Sequence, residues 1–386
     1  MERGPTGQWE RQPGFDAVPA YDAFVPAPLP PIPPLTWNDA RHQLLAEANL
    51  AIGRLDAMSS LLPDPSLFLY SYIRKEAVLS SQIEGTQSSL SDLLAFENDA
   101  APGVPLDDVQ EVSNYVAAMN EGIRLLREGT PLSMRLLTQV HGVLLGTGRG
   151  ASARPGTVRT TPNWIGGATP AQAIFVPPPV AQVGNCLADL ERFLNDIPTR
   201  SPTLVKAALA HVQFETIHPC LDGNGRLGRL LISMLLVHER ALSEPLLYLS
   251  LYFKQHRQTY YDLLQRVRFQ GDWEAWIDFF LSGARDTATG ATRTATTAIG
   301  IFAADRQRIE ALGRPASSAL RVHLHLQRHP IATTIKIAEA TNLSEPTVAR
   351  SLDHLIALNI ARELTGKQRH RQYAYRAFLD LLMGEN

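Results

Sequence analysis

A twelve-residue run, His218-Pro219-Cys220-Leu221-Asp222-Gly223-Asn224-Gly225-Arg226-Leu227-Gly228-Arg229, constrains this chain more than any other stretch. Upstream, Val205, Ala208, Leu209, Val212 and Thr216 recur at helical spacing and predict a helix over 202–217. Pro219 cannot extend that helix and biases His218 away from helical angles. Gly223 and Gly225 permit a tight loop that side chains would block. Downstream, Leu227, Leu230, Leu231, Ile232, Met234, Leu235 and Leu236 make a helix over about 226–240 apolar on most sides, hence buried. Its N-terminus, with unpaired N–H groups, points into a protected site suited to anions.

The side chains of the run suit phosphate chemistry. Asp222 offers a hard oxygen ligand for Mg²⁺, which a ligand's phosphates would complete. Arg226 and Arg229 share one helix face and can clamp phosphate oxygens, and Asn224 can donate to them. His218 is the one group of the run able to accept a proton near neutral pH. Together these parts point to phosphoryl or nucleotidyl transfer.

The run resembles the signature of the Fic family, His-Pro-Phe-x-Asp-Gly-Asn-Gly-Arg with a second Arg three residues later. Cys220 stands where the family usually has Phe, which leads us to expect a looser pocket under the loop. The resemblance implies a helical core that moves AMP from ATP to a protein hydroxyl. In that scheme His218 deprotonates the hydroxyl and Asp222 holds Mg²⁺. Gly223, Asn224, Gly225, Leu227 and Gly228 bind nucleotide phosphates with Arg226 and Arg229. Attack at the α-phosphate comes from the resemblance; the residues alone indicate phosphate chemistry.

A second pattern carries a similar implication. Ser80-Ser81-Gln82-Ile83-Glu84-Gly85 fits the family's inhibitory motif, whose Glu pairs with the second Arg of the signature. Here those residues are Glu84, with Ser80 ahead of it, and Arg229. A carboxylate on Arg229 occupies the cation that the ATP γ-phosphate needs, and ATP held without it is misaligned.

The chain has 386 residues, which suggests two or three domains. A net charge of −2 implies no global field for nucleic acid or membrane. No apolar run reaches membrane-spanning length and no signal peptide opens the chain. Cys186 and Cys220 read as reduced thiols of a cytoplasmic protein.

Residues 1–36 are Pro-rich and read as an extended arm along the surface. A helical region over 37–100 follows, with helices at 37–62 and 66–82, the latter leading into the inhibitory motif. The Fic-like core is expected over 101–312, with helices at 107–128, 131–145, 181–196, 254–268 and 272–283. Within it, Thr157-Val158-Arg159 and Ile174-Phe175-Val176 read as the strands of a hairpin flap. In the family such a flap docks the target's backbone as an added strand. Tyr261 is a candidate wall of the nucleoside pocket. The Ala/Thr-rich stretch Thr287–Thr297 reads as a weak helix.

Residues 313–386 resemble a winged helix: helices at about 315–328, 333–340 and from Ser344 onward, then strands near 360–364 and 372–375 around a basic tip, 367–371. Ten Lys and Arg against six Asp and Glu give this segment +4, which suits either DNA phosphates or a protein partner.

The expected fold is therefore mainly helical, a Fic-type core with a flap and a C-terminal winged helix. The expected function is a Mg²⁺-dependent protein adenylyltransferase using ATP and inhibited by Glu84, acting on a target protein or on itself, and able to form a homodimer. Removal of AMP or another nucleotide or phosphate transfer on the same fold is an alternative, as is a non-enzymatic nucleotide-sensing DNA regulator.

Overall fold

A helix buried on every side needs neighbours on every side, and the chain supplies them around residues 203–238. The structure is a computed structural model that describes residues 3–15, 18–61, 66–98, 104–366 and 371–384. Its elements run, in order, β1 (Gly7–Gln12), β2 (Tyr21–Pro26), α1 (Asp39–Leu61), α2 (Ser66–Ile83), α3 (Leu90–Phe96), α4 (Leu106–Arg127) and α5 (Met134–Leu144). After two 3₁₀ turns come α6 (Val180–Leu194), α7 (Thr203–Ile217), α8 (Asn224–His238), α9 (Ser250–Gln255), α10 (Arg257–Gln270) and α11 (Trp273–Glu310). The C-terminal part holds α12 (Ala316–Arg328), β3 (Ile331–Thr333), α13 (Thr334–Thr341), α14 (Glu345–Ala357), β4 (Ala361–Glu363), β5 (Gln372–Tyr375) and α15 (Arg376–Met383). The protein is mainly helical, as the sequence implies.

Every residue of α7 from Leu204 to Ile217 is buried, and most of α8 is too. Trp276 ties α11 to this centre by donating its indole N–H to the Ala208 carbonyl at 2.9 Å. The expected weak spot at Thr287–Thr297 lies inside one continuous 38-residue helix. Thr287, Thr292 and Thr296 donate their hydroxyls to the carbonyls of Gly283, Ala288 and Thr292, one turn back. Ala288, Ala291, Ala295 and Ala298 are buried, and these small side chains let α1 lie close along α11.

The N-terminal segment departs from the expected extended arm. β1 and β2 form an antiparallel hairpin, with Gly7 opposite Pro26 and Gln12 opposite Tyr21. Phe24 is fully buried, with Phe175 at 5.9 Å between ring centroids and Trp9 at 5.0 Å. The Phe24 N–H donates to the Val176 carbonyl at 2.9 Å, so the hairpin is fastened to the loop before α6. High proline content marked the segment as extended; the apolar anchors at Tyr21, Ala23 and Phe24 turn it into a packed element.

The flap also differs in detail. Thr157–Arg159 pairs with no strand. The bridge forms instead between Ile165 and Phe175, with Ile165 N–H to Phe175 carbonyl at 2.8 Å. The segment around Arg159 is drawn inward: its backbone N–H donates to the Pro219 carbonyl at 2.8 Å.

In the C-terminal part, helices α12, α13, α14 and α15 pack on an antiparallel sheet of order β3-β5-β4. Ser344 caps α14 by accepting the Thr347 N–H, as its sequence position implies. β3 and α15 were not evident in the sequence. Residues 367–370 of the expected basic tip lie outside the described residues. This part clasps α2 and α3: Lys75 Nζ donates to the Leu382 carbonyl at 3.1 Å, and Asn98 Nδ2 to the Ile331 carbonyl at 3.0 Å.

Replacing Phe24 with Ala should destabilise the protein by about 3–5 kcal/mol, the usual cost of emptying a buried aromatic site. Chemical denaturation checks this; a change below about 1 kcal/mol would show that the hairpin contributes little to the core.

Candidate active site

The turn between α7 and α8 brings the twelve-residue run together. His218 caps α7 in the left-handed conformation, φ 47° and ψ 59°, where a non-glycine residue is held only by its surroundings. Gly223, at φ 74°, starts α8 in the same region, where glycine suffers no steric penalty. The first bond of α8 runs from the Leu227 N–H to the Gly223 carbonyl. The amides of Asn224, Gly225 and Arg226 therefore remain without intrahelical partners at the positive end of a buried helix.

Several side chains fasten this loop. Asn224 accepts the Cys220 N–H through Oδ1 at 2.8 Å and donates Nδ2 to the Cys220 carbonyl at 2.9 Å. That engagement holds the turn shut and leaves Asn224 little to offer a phosphate through its side chain, contrary to expectation. Asn163 Nδ2 adds a bond to the Cys220 carbonyl at 3.0 Å. His141 accepts the Gly156 N–H at Nδ1, so its other nitrogen donates to the Asp222 carbonyl at 3.1 Å. Cys220 is 2% exposed, and burial pushes its thiol up to about 12, so it packs as a neutral side chain. A cavity of about 240 Å³ nearby is lined by Tyr21, Arg159, Asn163, Val176 and Pro178 among others; Cys220 is not among its walls.

His218 sits at the centre of this arrangement. Burial, reinforced by the Arg268 and Arg159 cations, pushes its imidazole down to about 3, with the Glu215 backbone and Glu84 opposing. Burial therefore favours the neutral ring near physiological pH.

The two arginines of the run have different partners. Arg226 places Nη1 3.1 Å from Glu111 and Nη2 3.7 Å from Asp222, while its buried Nε has no hydrogen-bond partner. Glu111 also receives Arg149 Nε at 2.6 Å, so one carboxylate braces two guanidiniums. Arg229 is 2% exposed. Its Nε donates to Ser80 Oγ at 2.8 Å, and its Nη2 donates to the Ser80 carbonyl at 3.0 Å and to Glu84 Oε1 at 2.7 Å. Ser80, Glu84 and Arg229 thus meet as the sequence pattern implies. Burial raises the Glu84 carboxyl, but the charge and hydrogen bond of Arg229, with Arg226 and His218, more than offset it and leave the group below its ordinary range.

The remaining residues of the run serve packing. Leu227 lies in the core at 1% exposure and its amide is already bonded, so it offers nothing to a phosphate. A side chain on Gly228 would strike Glu215 Oε1 at 2.7 Å, and one on Gly225 would strike Glu84 Oε1 at 2.3 Å. The carboxylate of Glu84 therefore lies directly over the first turn of α8. Asp222 accepts the Gly223 N–H through Oδ1 at 2.6 Å, and its side chain is half exposed. Tyr261 is 37% exposed, its phenol raised by burial and by Glu84, which places it facing the same space. Its neighbour Tyr260 is buried and bonds His211 Nε2 at 2.9 Å.

Sequence reasoning missed Arg159, His141, Asn163 and Glu111. Their partners lie far away in the chain, and no local spacing marks them. It also missed Glu76 and Glu215, buried carboxyls pushed up to about 7 near Arg229.

Two family models match the chain: the Fic/DOC family N-terminal region over residues 42–124 and the Fic/DOC family over residues 131–236. Residues 42–124 and 131–236 are thus similar to the two regions of that family. Curated relatives include protein adenylyltransferase Fic of Culex quinquefasciatus, 30% identical over 51% of this chain and 37% of that protein. Protein adenylyltransferase Fic of Aedes aegypti is 30% identical over 58% of this chain and 43% of that protein. The chain thus spans less than half of these relatives' length. Among solved structures, a Fic family protein from Desulfovibrio desulfuricans G20 aligns with 89% of this chain and 97% of its own at a TM-score of 0.58 and 22% identity, which shows the shared fold.

Because Glu84 ionises below the ordinary carboxylate range in the folded protein, its pairing stabilises the fold above that range and is lost as pH falls through the folded value. Wild type should therefore melt higher than Glu84→Gln at neutral pH, and the gap should close in acid, below about pH 4. Thermal melts across this range provide the check; a gap already absent at neutral pH would mean that the ion pair does not form in solution.

Proposed function

We propose that this protein transfers AMP from ATP to a protein hydroxyl and that Glu84 restrains the reaction. The observation that carries this reading is a neutral imidazole, His218, set beside the open N-terminus of α8, with Arg226 and Arg229 on that helix and Glu84 across it. A base, an anion cradle and two cations converge on one turn. The names of the matched relatives favour adenylyl transfer over other phosphate chemistry on the same scaffold.

The chemistry follows from the charges. His218 accepts the proton of the acceptor hydroxyl as its oxygen attacks the α-phosphorus. The bond to pyrophosphate breaks and AMP becomes esterified to the protein. The free amides of Asn224, Gly225 and Arg226 face the developing negative charge without reorganising. Arg226 and Arg229 take the outer phosphates. Tyr261 borders the nucleoside. Asp222 fits a Mg²⁺ ion, which keeps most of its waters and takes one or two carboxylates plus phosphate oxygens; the half-exposed Asp222 side chain is a donor of that kind. Such an ion, when bound, neutralises phosphate charge.

Restraint follows from geometry. Glu84 holds Nη2 of Arg229 and overhangs Gly225, so it occupies the place of an outer phosphate. A nucleotide bound beside it loses one cation and its alignment for in-line attack. The helical C-terminal part, read as a winged helix, is a docking module for a protein or DNA partner. Among the described residues no helix is long and apolar enough to cross a membrane.

Replacing His218 with Ala should abolish transfer of labelled AMP while ATP affinity stays within a few-fold, because the phosphate grip lies elsewhere. Undiminished transfer would remove His218 from the reaction. Glu84→Gly should raise the initial transfer rate where Arg229 is intact and add little in an Arg229→Ala background. Rates for the four combinations of these positions decide the point; a Glu84→Gly rate equal to or below wild type would mean that Glu84 does not restrain transfer.

A further inference from the structure

Arg159 lies between α5 and α6 and is 2% exposed. Its Nε donates to the His218 carbonyl at 2.9 Å, and its backbone N–H donates to the Pro219 carbonyl at 2.8 Å. One residue therefore grips two successive carbonyls where His218 takes its left-handed backbone. The same guanidinium reaches the other way: Nη2 donates to the Pro178 carbonyl at 2.5 Å and Nη1 to the Thr161 carbonyl at 3.4 Å. Pro178 lies two residues beyond Val176 in the Phe175–Val176 segment, which bonds Ile165 on one side and Phe24 of the N-terminal hairpin on the other.

This is an unusual use of a buried cation. Among the described residues no carboxylate acts on its charge; burial pulls it down to about 10, and it remains protonated near neutrality. A buried charge without an ionic partner is retained only where its donors are well satisfied. Here they are satisfied by carbonyls from two segments that the reaction must hold in register, the base turn and the flap. The planar fork of arginine aims fixed donors at both, a geometry that a compact ammonium does not reproduce.

We propose that Arg159 is a positioning residue for the transfer reaction: it locks the His218–Pro219 backbone to the flap, so that an acceptor docked on the flap meets the imidazole at reacting distance. The inference rests on the adenylyl-transfer reading. Arg159 touches neither nucleotide cation, so its effect belongs to the acceptor step. Its charge, with that of Arg268, also favours the neutral imidazole.

The test compares Arg159→Met and Arg159→Lys, each made in the full chain carrying Glu84→Gly. Arg159→Met should lower kcat for transfer by about a hundredfold, the scale of a misplacement near 1 Å, while KM for ATP and ATP affinity stay within two-fold. Arg159→Lys, which keeps the charge and donors but not the planar fork, should recover part of kcat. The ratio of Arg159→Met to parent rates should also fall as pH is lowered from about 8 to about 5, because His218 moves up toward its ordinary range, whereas the Arg159→Lys ratio stays level. Unchanged kcat, or a loss of ATP affinity in step with kcat in both variants, would overturn the proposal. A parent that transfers no AMP would instead refute the transfer reading. The positioning role is then read from NMR order parameters of the His218 and Val176 amides: a loss of order in Arg159→Met that Arg159→Lys partly restores supports it, and identical order in parent and variants overturns it.

Discussion

A guanidinium buried to 2% exposure must be matched by donors and charge around it, and Arg229 organises much of this protein for that reason. It stands on α8, at the centre of the core, with Ser80 and Glu84 of the α2 end on one side and the buried carboxyls Glu76 and Glu215 behind. Glu76 is itself held by Ser250 and Tyr115. Four segments distant in sequence therefore converge on one positive charge. In the proposed function the same charge would take a nucleotide's outer phosphate, so the interaction that settles α2 on the core would be the one such a substrate contests.

The opposite end of the site obeys a different constraint. Among the described residues His218 has no carboxylate to orient it, in contrast to the common arrangement of a base with an acidic partner. Its position comes from backbone: a left-handed residue after α7, a proline that ends the helix, and Arg159 on both carbonyls. Its protonation state comes from burial and neighbouring cations. The turn below is closed by Asn224, Asn163 and His141, all acting on backbone groups of Cys220 and Asp222. Preorganisation of this kind leaves the imidazole and the α8 amides as the groups still free to meet a ligand.

This division explains what the sequence disclosed. The 218–229 run was legible because its chemistry is local: a proline, two glycines and charged residues within one turn can be assigned without knowing the fold. Glu84 was legible because its motif points to a known partner in that run. Arg159, His141 and Glu111 were not, since their partners lie 59, 81 and 115 residues away and their own neighbourhoods are ordinary. Asn224 was assigned to phosphate because amides suit phosphates; the competing use, closing its own turn, only appears once Cys220 is seen to present both backbone groups to it. At the level of elements the long helices were read well from periodicity. The N-terminal hairpin was hidden by proline content, and the continuity of α11 by threonines whose hydroxyls the helix itself satisfies.

The placement of Glu84 bears on how restraint could be lifted. α2 is anchored along its length, by Tyr72 to the Ala291 carbonyl, by Lys75 to Leu382 and by Ser80 to Arg229. Moving the helix would break all of these contacts and expose buried apolar surface. Glu84, however, follows the last helical residue, Ile83, and is 37% exposed. Its carboxylate can leave Arg229 while Ser80 keeps its two bonds to the same guanidinium. A phosphate that takes the place of Glu84 keeps the buried Arg229 charge matched, whereas displacing a packed helix gives up a great deal. For the restraint proposed above, release by a side-chain swing is thus favoured over displacement of α2, and the proposed contest between Glu84 and a nucleotide would be decided over a few ångströms at the first turn of α8.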